Sequence, residues 1–175
     1  MILLTGFEPF TTGEGLVLEE NPTAGLVVRI RDEWPYQLTR PLHAEVLPVS
    51  FARTRTALTQ HMESRVPRIW CGLGYAPHRR TLDIEVVALN LEHASRGDND
   101  GVTPYLRPIV SHGPTAYRTR LSIEGACEIF ARNGVETRAS THAGTFLCNQ
   151  AFYLGCHACE SDLLDLAFFI HVPPM

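Results

Sequence analysis

The sequence contains no lysine, and all of its 15 basic residues are arginine. That absence removes three chemistries at once, because a Walker-type phosphate loop, a Schiff base and a Ser-Lys dyad each need an amine. The bias reads as codon usage in a GC-rich genome rather than as a functional constraint. No G-x-S-x-G occurs, which disfavours a serine hydrolase built on a nucleophile elbow. No apolar stretch approaches the roughly 20 residues that span a bilayer. Basic residues are nowhere dense, "RTR" and "HRR" being the tightest groups, and the formal net charge is -4. A nucleic-acid or anionic-membrane partner, which favours a clustered basic surface, is therefore not expected. The five cysteines are odd in number and too sparse for a disulfide scaffold, so a reducing cytoplasm is the expected compartment. The opening "MILLTGFEPF" lacks a basic region and meets Glu8 and Pro9 too early for a signal peptide.

What is present is an ordinary globular chain of 175 residues, 45% of them hydrophobic, enough for one domain with a core of its own. "MILLTGF" reads as a buried strand and "NPTAGLVVRIR" as a helix with Asn21 as N-cap and Pro22 at its first position. "AEVLPV" is a strand and "SFARTRTALTQHMESR" a helix; "RIWCGLG" and "IEVVALN" are two further strands. The stretch from Gly97 to about Arg120 shows no clear periodicity. "SIEGACEIFARNG" is a helix capped by Ser122 and ended by Gly134, followed by the strand "VETRAS", the helix "FLCNQAFYLGCHAC" and the strand "LAFFIHV". Alternating strands and helices with apolar strands predict an α/β fold, a three-layer α/β/α sandwich around a mostly parallel twisted sheet. The chain ends at "HVPPM", directly after that strand, where a further covering helix is expected.

Cys148 stands where a small-residue turn, "THAGT", meets a helix. A helix start offers unpaired backbone N–H groups and the positive end of the dipole, which stabilise a thiolate or a developing oxyanion. A buried packing cysteine beside a hydrogen-bonded Asn149 is the other reading, and the chemistry alone leaves both open. A thiol nucleophile needs a base. His171 lies at the carboxyl end of the last strand, the edge of a parallel sheet where sites gather, with a structural histidine as the alternative. His142 is the histidine nearest to Cys148 in sequence. Glu85 is a carboxylate within an apolar strand, costly to bury unless paired and otherwise an exposed strand residue.

Several motifs, in order, carry a family resemblance. "LLTGFEPF" followed by "NPT", then "VLPVSF", "EVVALN" with "DNDG", "AGTFLCN" and "FIHVP" resemble the signature segments of the pyroglutamyl peptidase I (pyrrolidone-carboxylate peptidase) family of cysteine peptidases. The similarity runs from Ile2 to Pro173, with a few extra residues at roughly 15–20. It implies a catalytic triad of Cys148 as nucleophile, His171 as general base and Glu85 as the carboxylate orienting the histidine. It implies a wall for a pyroglutamyl ring made by Phe7, Phe10 and Phe146, with Asn21 in the site loop and Tyr75 beside the pocket. Plain core packing is the alternative for each phenylalanine, as helix capping is for Asn21. The resemblance further implies a cytosolic, metal-free and cofactor-free homo-oligomer, a tetramer or dimer, whose partner is a peptide with N-terminal pyroglutamate.

The sequence departs from that pattern at the substrate loop. "GYAPHR", residues 74–79, stands where the family usually has a Gly-Gln-Ala-Gly-Gly-Arg run. Tyr75 replaces the glutamine, and Pro77 and His78 replace glycines, giving a stiffer and bulkier loop. Val86 replaces the arginine after the glutamate, Ser95 holds another arginine position with Arg96 one place later, and Gly97 replaces a proline. Cys156 and Cys159 form a CxxC enclosing His157, but no second ligand pair of similar spacing accompanies it. With Phe152 they share one helix face and read as core. A non-catalytic lactam- or peptide-binding protein keeping the fold is the rival from another class, as is a related thiol amidase of altered specificity.

Overall fold

The computed structural model describes residues 1–10, 20–35 and 40–174. Most of the extra residues noted near 15–20 lie outside that range. In chain order the elements are β1 (Ile2–Phe7), α1 (Pro22–Glu33), β2 (Leu42–Leu47), α2 (Phe51–Arg65), β3 (Ile69–Tyr75), β4 (Leu82–Glu85), β5 (Val87–Leu89), β6 (Ala116–Arg118), α3 (Ile123–Arg132), β7 (Thr137–Ser140), α4 (Leu147–Glu160) and β8 (Leu166–Val172).

Local chemistry starts the helices where the sequence indicates. Asn21 accepts from Thr23 N–H and Pro22 occupies the first turn of α1, while Ser50 and Ser122 cap α2 and α3 through their hydroxyls. Gly134 follows α3 at φ +73, a left-handed conformation that costs glycine nothing.

Six strands form one sheet in the order β2-β1-β3-β8-β4-β7. Every pairing is parallel except β4 with β8, which is antiparallel and sets Asp83 opposite His171. Side chains alternate across the strands and so divide the core in two. Leu3, Trp70 and Phe169 face one side with Leu58 of α2 and Phe152 of α4. Leu4, Cys71 and Ile170 face the other with Val27 of α1 and Ile123 of α3. This is the expected three-layer sandwich.

Two expectations change. The run "IEVVALN" is not one strand: β4 ends at Glu85, and β5 leaves the main sheet to pair antiparallel with β6. The switch occurs at Val86, whose N–H donates to Ser140 O in the main sheet while its carbonyl accepts from Thr119 N–H. A continuous apolar run hides such a change of partner, since strands buried on both faces lack a period. The stretch up to Arg120, which lacks periodicity, supplies β6, a three-residue strand too short to show one.

α4 lies deepest, with Ala151, Phe152 and Tyr153 each 0% exposed. Phe152, Cys156 and Cys159 are packed in the core. The side chain of Asn149, also buried, accepts from Leu89 N–H and donates to the carbonyls of Leu89 and Leu91, so the second residue after Leu147 clamps β5 to the helix start. Hydrogen bonds fully satisfy that buried amide, which makes it stabilising rather than costly.

Candidate active site

The carboxyl ends of β1, β3 and β8 and the amino end of α4 open onto a cavity of about 180 Å³. β8 delivers His171, β3 delivers Tyr75, β1 delivers Phe7, and the first turn of α4 delivers Cys148. This is the edge at which parallel sheets gather ligands. Phe10, Asn21 and Phe146 complete the set of cavity residues expected from the sequence. Asn21 does both of its jobs. Its Oδ1 accepts from Thr23, its Nδ2 donates to Glu8 O at 3.1 Å, and it borders the cavity. Phe7 and Phe146 likewise pack with the core and face the cavity.

Glu85 is 0% exposed and stands behind the histidine, not on the cavity surface. Its Oε1 lies 2.7 Å from His171 Nδ1. The alternative of an exposed strand carboxylate is thereby overturned: the charge is buried because it is paired. Burial pulls the His171 pKa down, but it is outweighed by charge interaction and hydrogen bonding with Cys148 and then with Glu85, which raise it from 6.5 to about 9. That direction favours the imidazolium form at neutral pH. With Nδ1 donating to Glu85, Nε2 is left for the sulfur, and a cationic histidine is the partner that a thiolate nucleophile needs. His142, the nearest histidine in sequence, is exposed and its Nδ1 accepts from Gly144 N–H at 2.9 Å.

Room for the sulfur is made by Gly74. It pairs with His171 across the sheet, and a Cβ there would come within 2.8 Å of Cys148 Sγ and of Phe169 Cε1. The helix start itself is uncapped by any side chain, since Phe146 occupies the N-cap position. Among the described residues no side chain accepts from the first-turn N–H groups of α4, which leaves the amino end of the helix open, as an oxyanion site requires.

These observations meet the comparisons with known proteins at one point. The pyroglutamyl peptidase family model matches residues 1–175. The chain belongs to the pyroglutamyl peptidase family. It is 34% identical over 172 residues to the pyrrolidone-carboxylate peptidase of Clavibacter michiganensis subsp. michiganensis, covering 98% of this chain and 78% of that one. Among solved structures it is similar to the pyrrolidone carboxyl peptidase of Fervidobacterium islandicum, with TM-score 0.91, 31% identity and coverage of 98% and 80% of the two chains. The pyrrolidone carboxyl peptidase of Thermus thermophilus matches with TM-score 0.87, 35% identity and coverage of 99% and 85%. The chain is thus a hydrolase of this peptidase family, on the family's fold.

Sequence reading notes Arg96 as a shifted arginine but assigns no role to it, to Gly74 or to Arg79. Arg96 borders the cavity, its guanidinium 5.0 Å from the Phe10 ring centre and 4.6 Å from that of Phe146. Burial lowers its pKa and the nearby Cys148 opposes that. The signal was legible as the shifted arginine of the "EHASRG" loop, but not its stacking. Arg79 reaches Glu85 Oε1 at 2.9 Å, also pairs with Asp83, and donates through Nη2 to His142 O. It links the "GYAPHR" loop to the carboxylate behind the histidine. Among the described residues, no helix is long and apolar enough to cross a membrane.

Proposed function

We propose that the chain hydrolyses N-terminal pyroglutamyl residues from peptides, with Cys148 as nucleophile, His171 as general acid and base, and Glu85 as the orienting carboxylate. The observation that carries this reading is the buried His171–Glu85 contact of 2.7 Å beside Cys148, at the floor of a cavity walled by phenylalanines. The thiolate attacks the pyroglutamyl carbonyl carbon, and the carbonyl π electrons move to oxygen. The Cys148 backbone N–H stabilises that oxyanion. As the C–N bond breaks, His171 gives its Nε2 proton to the departing amine, leaving a pyroglutamyl thioester on Cys148. Water then attacks the thioester carbonyl as it gives one proton to His171 Nε2; the C–S bond breaks, the thiolate leaves, and the pyroglutamic acid released loses its remaining acidic proton to solvent.

The pocket suits the substrate because a lactam carries no ammonium and so needs no buried carboxylate. Phe7, Phe10 and Phe146 offer apolar surface, while Asn21 and Tyr75 supply polar groups for the ring amide. The relatives' name, pyrrolidone-carboxylate peptidase, agrees with this chemistry. On the same reading one chain forms a single catalytic domain that works in a cytoplasmic, reducing setting as a homo-oligomer, a dimer or tetramer.

The test is release of a fluorophore from a pyroglutamyl amide. Wild-type turnover should be abolished by iodoacetamide and reduced about a thousandfold or more in Cys148→Ala. Full activity in that variant, or lactam binding without turnover by the wild type, would overturn the proposal.

A further inference from the structure

On the opposite side of β1 from β3, the edge strand β2 carries His43 and Glu45, two residues apart and therefore on one face. His61 of α2 reaches toward the same spot. Glu45 Oε1 lies 2.6 Å from His43 Nε2 and 3.9 Å from His61 Nε2. The three ligand atoms all fall within 4.8 Å of one another, and all three residues are half-buried. The two imidazole rings stand 5.9 Å apart, tilted by 44°.

Two neutral imidazoles and one carboxylate form a donor set that zinc accepts, with a fourth tetrahedral position left to water. Bonds of about 2.0–2.1 Å around a tetrahedral ion bring neighbouring ligand atoms to about 3.3 Å. The His43–Glu45 contact must open slightly and the His61–Glu45 separation must close slightly, which small side-chain rotations achieve. The ligands come from a strand and a helix rather than from loops, so their backbones are already held. Open flanks exist for water, because the side chains of His43, Glu45 and His61 are 24%, 31% and 22% exposed.

The competing charge is Arg65, whose Nη2 lies 3.9 Å from Glu45 Oε1, with a weaker interaction from Arg31. Arg65 sits in the last turn of α2 with its side chain 42% exposed, so it can withdraw to water when a dication takes the carboxylate. The cluster is separate from the cavity. His43 is level with Leu3, Trp70 and Ala167, four residues before His171, and β2 lies three strands from β8.

From this geometry we propose that His43, Glu45 and His61 bind a divalent transition-metal ion, zinc foremost, which fastens α2 to the edge strand β2. The site is structural and takes no part in the hydrolysis, so it stands or falls independently of the catalytic reading.

The test uses the full chain carrying Cys148→Ser, so that the cavity thiol does not compete for metal. Zn²⁺ is titrated by calorimetry and followed by thermal melting, and Co²⁺ by visible absorption. One equivalent should bind and the melting temperature should rise with free Zn²⁺. The Co²⁺ spectrum should lack the thiolate charge-transfer band that binding at Cys127, the half-buried free thiol of α3, would give. His61→Gln and Glu45→Gln, each checked by circular dichroism and metal-free melting to be folded, should weaken binding at least tenfold. Absence of saturable binding, a thiolate band, or affinity unchanged in both folded variants would overturn the proposal.

Discussion

Asp83 and Glu85 stand two residues apart on β4, both 0% exposed, and both touch Arg79, yet they are wired differently. Asp83 is saturated. Arg138 donates to both of its oxygens at 2.8 and 2.9 Å, Thr81 adds a bond of 2.7 Å, and Arg79 adds another. Burial works to raise its pKa, but these donors outweigh it and hold the carboxyl at about 2. Glu85 has one oxygen against His171 and Arg79, while Oε2 is buried without a hydrogen-bond partner among the described residues. A carboxylate surrounded by cations and hydroxyls is a structural anchor. One that shares its charge with a buried imidazole instead tunes that imidazole. On the proposed reading the same strand thus builds a tie and a working group side by side.

Substitutions separate the two roles. The largest effect on turnover is expected from His171→Gln, which on the proposed reading removes the proton carrier and should lower kcat/KM about 10²–10⁴-fold. Glu85→Gln should cost less, because the amide still fills the space beside Nδ1 and only its charge is lost; equal losses in steady-state assays would argue for a more direct role. Arg79→Met should lower kcat about tenfold and leave KM nearly unchanged, roughly 1.4 kcal/mol at the transition state. Freed of its cationic neighbour, Glu85 then holds the imidazolium more tightly, so the basic limb of the kcat profile should move upward. A downward shift would contradict the role given to Arg79. The smallest effect on turnover belongs to Asp83→Asn, which should instead lower stability by about 2 kcal/mol in urea unfolding, the scale of hydrogen bonds to a charged group.

The pH dependence of stability distinguishes the pair as well. Asp83 has a folded pKa below its ordinary 3.8, so its contribution is complete above 3.8 and is lost as pH falls toward about 2. His171 has a folded pKa above its ordinary 6.5, so its contribution is complete below 6.5 and is lost as pH rises through about 9. Unfolding midpoints in urea across the two windows should show an acid loss absent from Asp83→Asn and an alkaline loss absent from His171→Gln.

The parts of this molecule that could be read in the sequence are those fixed by neighbours along the chain. Asn21 with Pro22, Ser122 and Gly134 punctuate helices through contacts within a few residues, and Cys148 announces itself by the turn that precedes its helix. His171 and Glu85 were legible as polar residues inside apolar strands, an anomaly that burial makes expensive. What could not be read depends on which strands become neighbours. Val86 changes sheets because Ser140 and Thr119, far along the chain, bond its two backbone groups. Arg79 reaches two carboxylates only four and six residues on, but the turn that folds it back onto β4 carries no periodic signal, and His61 meets His43 and Glu45 only when α2 folds over β2. The space at Gly74 is visible only with Cys148 Sγ in place.

The account rests on Cys148, His171 and Glu85 behaving as one charge-coupled unit. Its most direct test is the titration of the His171 ring nitrogens by NMR on histidine-labelled protein, in the wild type, Cys148→Ala and Glu85→Gln. The account predicts a pKa raised from 6.5 to about 9 in the wild type and lowered in both variants, since each partner raises it. A wild-type ring titrating near 6.5, or one unmoved by the loss of Cys148, would contradict it.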